Sequence, residues 1–297
     1  MSDWLISLEG TEGGKTLALC LALLAAVLHA FFGALQKGKT DPWTARTVID
    51  GSYSLIAVPF LFLVPFPEPH IWPLFAIAWV IHVGYKMSQA ASYSVGSYLV
   101  VYPVVRGISP VFTVIGAGIL FGEVFASLQW VGVLLLVSGI LGFSAYNLRH
   151  VTLDRARLPL AIGLACLTGG FVALYTTWDA YVIRATADPF TFIAWFFFLD
   201  GLAFPLGWFL LKRRIPGVDL RLARLGLIGA ITAYFSFGSI MLATRLDKVG
   251  EAAVLRETSV LFSALISWLV LKEGVGPRRL ALMALIAAGA VIVEWGG

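Results

Sequence analysis

Tyr102-Pro103-Val104-Val105-Arg106-Gly107-Ile108-Ser109-Pro110 and, 150 positions further on, Val254-Leu255-Arg256-Glu257-Thr258-Ser259 decide how this chain is read. Both segments place one arginine inside a long apolar run that closes on a glutamate 17 residues later, Glu123 in the first case and Glu273 in the second. The same offset aligns Val104 with Val254, Ser109 with Ser259, Phe112 with Phe262 and Gly139 with Gly289, and nearly aligns Thr113 with Ser263. A fixed period with this many matches is the mark of a duplication.

Hydrophobic residues make up 59% of the 297 positions and charged residues 13%, more apolar surface than a soluble globule of this size can cover. About ten stretches have spanning length, near 15–36, 45–66, 71–91, 97–121, 127–146, 158–183, 189–211, 222–244, 249–271 and 277–294. The fold expected is an all-α integral membrane protein of ten transmembrane helices. A polar leader (1–14) precedes a first five-helix repeat (15–147), a connecting loop (148–157) and a second five-helix repeat (158–297). An odd number of spans per half requires the second repeat to be inverted relative to the first. The leader, with Asp3, Glu9 and Glu12, lacks the basic start of a secretory signal peptide.

The net charge of +4 is explained by sidedness rather than by nucleic acid. Lys37, Lys39 and Arg46 follow helix 1, Arg149, Arg155 and Arg157 follow helix 5, Lys212, Arg213, Arg214, Arg221 and Arg224 follow helix 7, and Lys272, Arg278 and Arg279 follow helix 9. The opposite loops carry chiefly Arg184, Arg245 and Lys248, so both termini are expected away from the cytoplasm. Cys20 and Cys166 read as small core residues, with no disulfide, metal site or cofactor implied. Glycines at helical spacing (Gly132, Gly139, Gly142) and alanines (Ala284, Ala287, Ala288) read as packing positions, and Asp41-Pro42 and Asp188-Pro189 as helix starts.

The duplication, the helix count and the paired terminal glutamates, together with the two arginine segments, resemble the EamA family of the drug/metabolite transporter superfamily over essentially the whole chain. The resemblance implies a secondary transporter, an exporter or exchanger in a multi-pass bacterial inner-membrane setting, with a central cavity formed by helices 1, 3, 4, 6, 8 and 9. No enzyme activity is expected, since no span holds a His-Glu-x-x-His segment or a Gly-x-Ser-x-Gly turn. Small multidrug exporters of the same superfamily depend on a glutamate in their first helix, and Leu17 to Leu35 contains no carboxylate.

The residues themselves sharpen this. Arg106 lies roughly 15 Å and Arg256 roughly 10 Å into their helices at the rise of an α-helix. An arginine there costs about 2.5–3.5 kcal/mol on insertion scales and persists only with water, a partner or a ligand. The alternatives are snorkelling, or a fixed salt bridge to Glu257, Glu251 or an aspartate. A planar guanidinium fork suits carboxylate or phosphate, so the expected solute is anionic or zwitterionic. Ser109, Ser259, Lys86, Tyr85, His29, Tyr175 and Trp178 complete the expected binding set, and Asp179, Glu257 and His29 the proton-coupling candidates. His82 lies one turn before Lys86, and Asp50 and Asp200 read as interhelical polar groups. Pro103, Gly107 and Pro110 make helix 4 the expected discontinuous or kinked segment, because Pro110 displaces the carbonyl of Arg106, while helix 9 is expected to move as a rigid body. Two other functions remain open: a flippase for a lipid-linked phosphate, and a structural protein without transport. The expected partners are a small solute and the bilayer, in a monomer or homodimer.

Overall fold

A computed structural model describes residues 2–35, 40–96, 98–148, 157–212, 217, 219–271 and 276–297. Asp41 accepts the amide of Thr44 at 2.8 Å and Pro42 follows it, so α3 (Pro42–Leu61) starts as its sequence indicates. Asp188 does the same for α8 (Pro189–Lys212), accepting Phe190 and Thr191 at 2.8 and 3.2 Å. Asp219 caps α9 (Leu220–Leu246) through the amide of Leu222 at 2.7 Å.

The remaining helices are α1 (Ser2–Ser7), α2 (Glu12–Leu35), α4 (Trp72–Val95), α5 (Tyr98–Phe121), α6 (Ser127–Leu148), α7 (Leu158–Ala185), α10 (Val249–Arg256), α11 (Ser259–Leu271) and α12 (Pro277–Trp295). Every regular element among the described residues is helical. Among the described residues six helices are long and apolar enough to cross a membrane: α2, α5, α6, α7, α8 and α9. The other four expected spans carry polar cargo that dilutes them. Arg46 and Asp50 lie in α3, His82, Lys86 and Gln89 in α4, Arg278, Arg279 and Glu294 in α12, and the α10–α11 run is interrupted.

Two expectations need correction. Helix 4 is not discontinuous, since α5 is a single helix from Tyr98 to Phe121 through Pro103 and Pro110, where a kink was the other form expected. The break is in the ninth stretch, which was expected to be continuous. There the amides of Glu257 and Thr258 reach back three residues, to Val254 and Leu255 at 3.0 and 3.1 Å, and the Thr258 hydroxyl takes the Leu255 carbonyl at 2.6 Å. A threonine that captures a backbone acceptor competes with the helical ladder and needs no proline to interrupt it. Cys20 is also not a core residue: it is exposed on α2, and Cys166 is half-buried.

Packing pairs first-half and second-half helices. α2 lies on α9 and α7 on α4; α5 lies on α7, and α10 and α11 lie on α2; α3 packs on α8 and α6 on α12. Along the α6–α12 seam backbones touch: a Cβ on Gly289 would stand 2.6 Å from the Gly132 carbonyl oxygen, and one on Gly132 2.8 Å from that of Gly289. Small residues allow such an approach where lipid offers no hydrophobic drive between helices. Gly107 is likewise a packing position, its missing Cβ 2.8 Å from Leu141 of α6. The leader is structured as α1, whose Leu5 is buried in the apolar core.

Lys37, Lys39, Arg149, Arg155, Arg213, Arg214, Lys272 and Glu273 lie outside the described residues, as do residues 149–156 of the connecting segment.

Candidate functional site

The interior holds a file of charged groups. Arg106 on α5 is 2% exposed and donates from one terminal nitrogen to both Glu257 oxygens at 3.1 and 3.3 Å. Its other terminal nitrogen contacts His29 Nε2 on α2. Ser109, one turn after Arg106, donates to the same Glu257 at 3.2 Å, and Ser259 pairs with the Tyr102 hydroxyl at 3.2 Å. Arg256, also 2% exposed, lies 3.6 Å from Glu257 Oε1 and donates to the Thr176 hydroxyl at 3.3 Å. The break between α10 and α11 brings Glu257 between the two arginines. Two guanidinium groups thus share one carboxylate, which leaves one positive charge over.

Tyr175 on α7 connects this group to the next. Its ring centroid is 5.8 Å from the Arg256 guanidinium, 4.9 Å from Tyr85 and 4.6 Å from His82. His82 holds Asp179 at 2.8 Å, so Asp179 and His29, expected as corresponding proton carriers, belong to separate contacts. A cavity of about 10 Å³, the size of roughly one water, lies between Tyr175, Asp179, Arg256, Phe237, Ile240 and Met241. Three buried atoms of its lining residues, Tyr175 Oη, Asp179 Oδ1 and Arg256 Nε, have no hydrogen-bond partner among the described residues. Buried polar atoms are nearly always paired, so these three leave hydrogen-bonding capacity unfilled on residues that line one cavity.

Lys86 sits elsewhere in the file. Its ammonium contacts Asp50 Oδ2 at 2.7 Å, the Tyr53 hydroxyl at 2.6 Å, and Asp200 Oδ2 and its backbone oxygen at 2.6 and 3.2 Å. Arg46 backs Asp50 at 3.6 Å and contacts Gln89, which in turn donates to the Tyr85 hydroxyl at 2.7 Å. Tyr85 therefore bridges the two charged groups. Trp178 is tied to the α4 backbone, donating to the Leu74 carbonyl at 3.1 Å.

Arg46, Asp50 and Tyr53 follow the i, i+4, i+7 spacing of one helix face, and so do His82, Lys86 and Gln89. These two polar stripes were the readable signal for the group around Lys86, and reading each residue singly missed it. Glu123, expected to close a helix or pair with a loop base, instead caps the start of α10, accepting the amides of Val249 and Gly250 at 2.7 and 3.0 Å, and lies 3.9 Å from Arg184.

Residues 159–295 match the sequence model of the EamA-like transporter family. A solved structure, described only as a crystal structure of a protein, is 16% identical and superposes with a TM-score of 0.74 over 96% of this chain and 99% of that one. At that identity the likeness concerns the fold. No curated protein sequence matches the chain.

Proposed function

We propose that the chain, whose residues 159–295 match the model of the EamA-like transporter family, is a secondary transporter of a small zwitterionic or anionic organic metabolite. It is a multi-pass integral membrane protein of a transporter family rather than of an enzyme family. The working architecture is ten spans in two inverted five-helix halves that rock around the Arg106–Arg256 region, in a bacterial inner membrane. The 150-residue offset supports this, as does packing that maps onto itself when the halves are exchanged, α2 on α9 answering α7 on α4.

The observation that carries the substrate class is the cavity beside Arg256. Arg256 Nε is a charged group's donor without an acceptor, Asp179 Oδ1 a carboxylate oxygen without a donor, and Tyr175 Oη serves either. A solute with a carboxylate and an ammonium a few bonds apart satisfies all three. Arg106 stands behind as the second anchor. At about 10 Å³ the cavity is too small for such a solute, so loading requires the surrounding helices to part.

Thermal shift of the purified protein with α-amino acids, the matching monocarboxylates and the matching primary amines tests the class. Zwitterions are expected to raise Tm most, with the gain lost in Arg256→Ala and Asp179→Asn. In proteoliposomes the solute so identified is taken up by wild type but not by Arg106→Ala or Arg256→Ala, and Arg→Lys rescues poorly. A Tm gain that persists in both cavity variants overturns the assignment.

A second reading draws on the Arg106–Glu257 contact, which satisfies Arg106 within the protein: the arginines would then brace the fold without carrying anything. Uptake at wild-type rates in both arginine variants decides for it.

A further inference from the structure

Lys86 occupies an oxygen cage. Two carboxylate oxygens, a hydroxyl and a backbone carbonyl surround its Nζ at 2.6–3.2 Å. Asp50 is 0%, Lys86 2%, Tyr53 3% and Asp200 3% exposed. An ammonium has three protons to give, and here it meets four oxygens, the hard donor set that alkali and alkaline-earth cations take. Each buried carboxylate carries a desolvation cost of several kcal/mol unless a cation stays with it, and Lys86 is the one cation that touches both. Asp200 Oδ1 is also without a hydrogen-bond partner among the described residues, so the cage has ligand capacity to spare.

The charges balance: Asp50 and Asp200 against Lys86 and Arg46. The cage joins α3 and α4 of the first half to α8 of the second, and Arg46 and Gln89 also line a separate pocket of about 50 Å³. The group lies apart from the Arg256 cavity and takes no part in the contacts assigned to the solute.

We propose that this cage is a monovalent-cation site whose resident cation is the Lys86 ammonium, tethered on its own stem. It is the kind of site at which a free ion would bind between the halves, and the lysine makes that ion part of the chain. Vacated, the cage keeps two carboxylates against one arginine and accepts sodium or a small alkylammonium. With Lys86 present it accepts neither, so the wild-type cycle runs without sodium; that last clause rests on the transporter reading, and the site itself does not.

The test uses purified full-length protein in sodium, potassium, ethylammonium or choline chloride at equal ionic strength. Wild type is expected to melt at one temperature in all four. Lys86→Ala melts lower in choline and regains several degrees, saturably, in sodium or ethylammonium, as mass action on a bound ion requires. The double variant Lys86→Ala/Asp200→Asn gains nothing. If Lys86→Ala does not yield folded protein, Lys86→Gln keeps both carboxylates and most of the stem, and must show the same difference. A Lys86 variant with one Tm in all four salts overturns the proposal. A salt response in a protein that moves no solute leaves the cation site standing while the transporter reading falls.

Discussion

Arg106 and Glu257, 151 positions apart, hold each other at 3.1 and 3.3 Å in the protein interior, and Arg256, next to Glu257 in the chain, leans on the same carboxylate at 3.6 Å. The recurrence of an arginine at equivalent positions of two halves thus ends in one shared anion. That asymmetry makes the site chemically useful, because a balanced pair has no need of a guest, whereas two cations on one carboxylate do.

The first prediction separates binding from bracing. Glu257→Gln leaves Arg106 and Arg256 uncompensated in a dry interior and is expected to lower stability by about 3 kcal/mol, at the lower end for a broken buried pair because glutamine still accepts a hydrogen bond. Arg256→Ala leaves Arg106 and Glu257 as a one-to-one pair, so its Tm falls much less while its transport is lost. Thermal melts of the two variants side by side check this; a larger loss in Arg256→Ala contradicts the shared-carboxylate account.

A second prediction concerns the α6–α12 seam. Gly289→Ala puts a methyl group 2.6 Å from the Gly132 carbonyl oxygen and from the Leu136 amide, backbone atoms that cannot turn aside. Separating the helices is expected to cost about 1–3 kcal/mol, the range for overpacking. Gly163→Ala, where nothing lies within 4 Å, is the control and should leave Tm unchanged or slightly higher.

The third compares two tethers on the side of the bundle where the leader lies. Glu123 satisfies two amides at the start of α10, so Glu123→Ala should cost about 1 kcal/mol, as for loss of a helix cap, and speed hydrogen exchange at Val249 and Gly250. Arg245 reaches Glu9 at 2.6 Å, the Thr186 carbonyl at 2.7 Å and also the Ile183 carbonyl. Glu9 is more than a third exposed, so Glu9→Gln should be nearly silent in stability. Arg245→Ala removes the donor for two backbone oxygens as well, and should raise exchange in α1 and at the end of α7. Equal effects of Glu9→Gln and Arg245→Ala would show that the carbonyl contacts carry nothing.

Much was legible from residue order because it rests on composition and period. Apolar runs of about 20 residues in a 59% apolar chain select helices in lipid, because a helix satisfies its backbone polar groups within its own segment. Asp-Pro pairs started α3 and α8 as expected, since capping is a local matter of one carboxylate and the next two or three amides. The interruption after Arg256 was misplaced because prolines drew attention to α5. A proline in a membrane helix can be accommodated, while Thr258 acts through a hydroxyl whose choice of acceptor no spacing reveals.

The amino-acid order by itself determined that this is a helical membrane protein with an arginine recurring at a 150-residue offset, because hydropathy and spacing are properties of the string. Only the folded arrangement decided which charge meets which. Glu257 between two arginines, Lys86 between Asp50 and Asp200, and Asp179 on His82 rather than near His29 are all encounters between residues far apart in the chain. Electrostatic partnership falls off within a few ångströms, and the helix pairings that bring side chains that close are set by packing around glycine seams and apolar faces, not by position along the sequence.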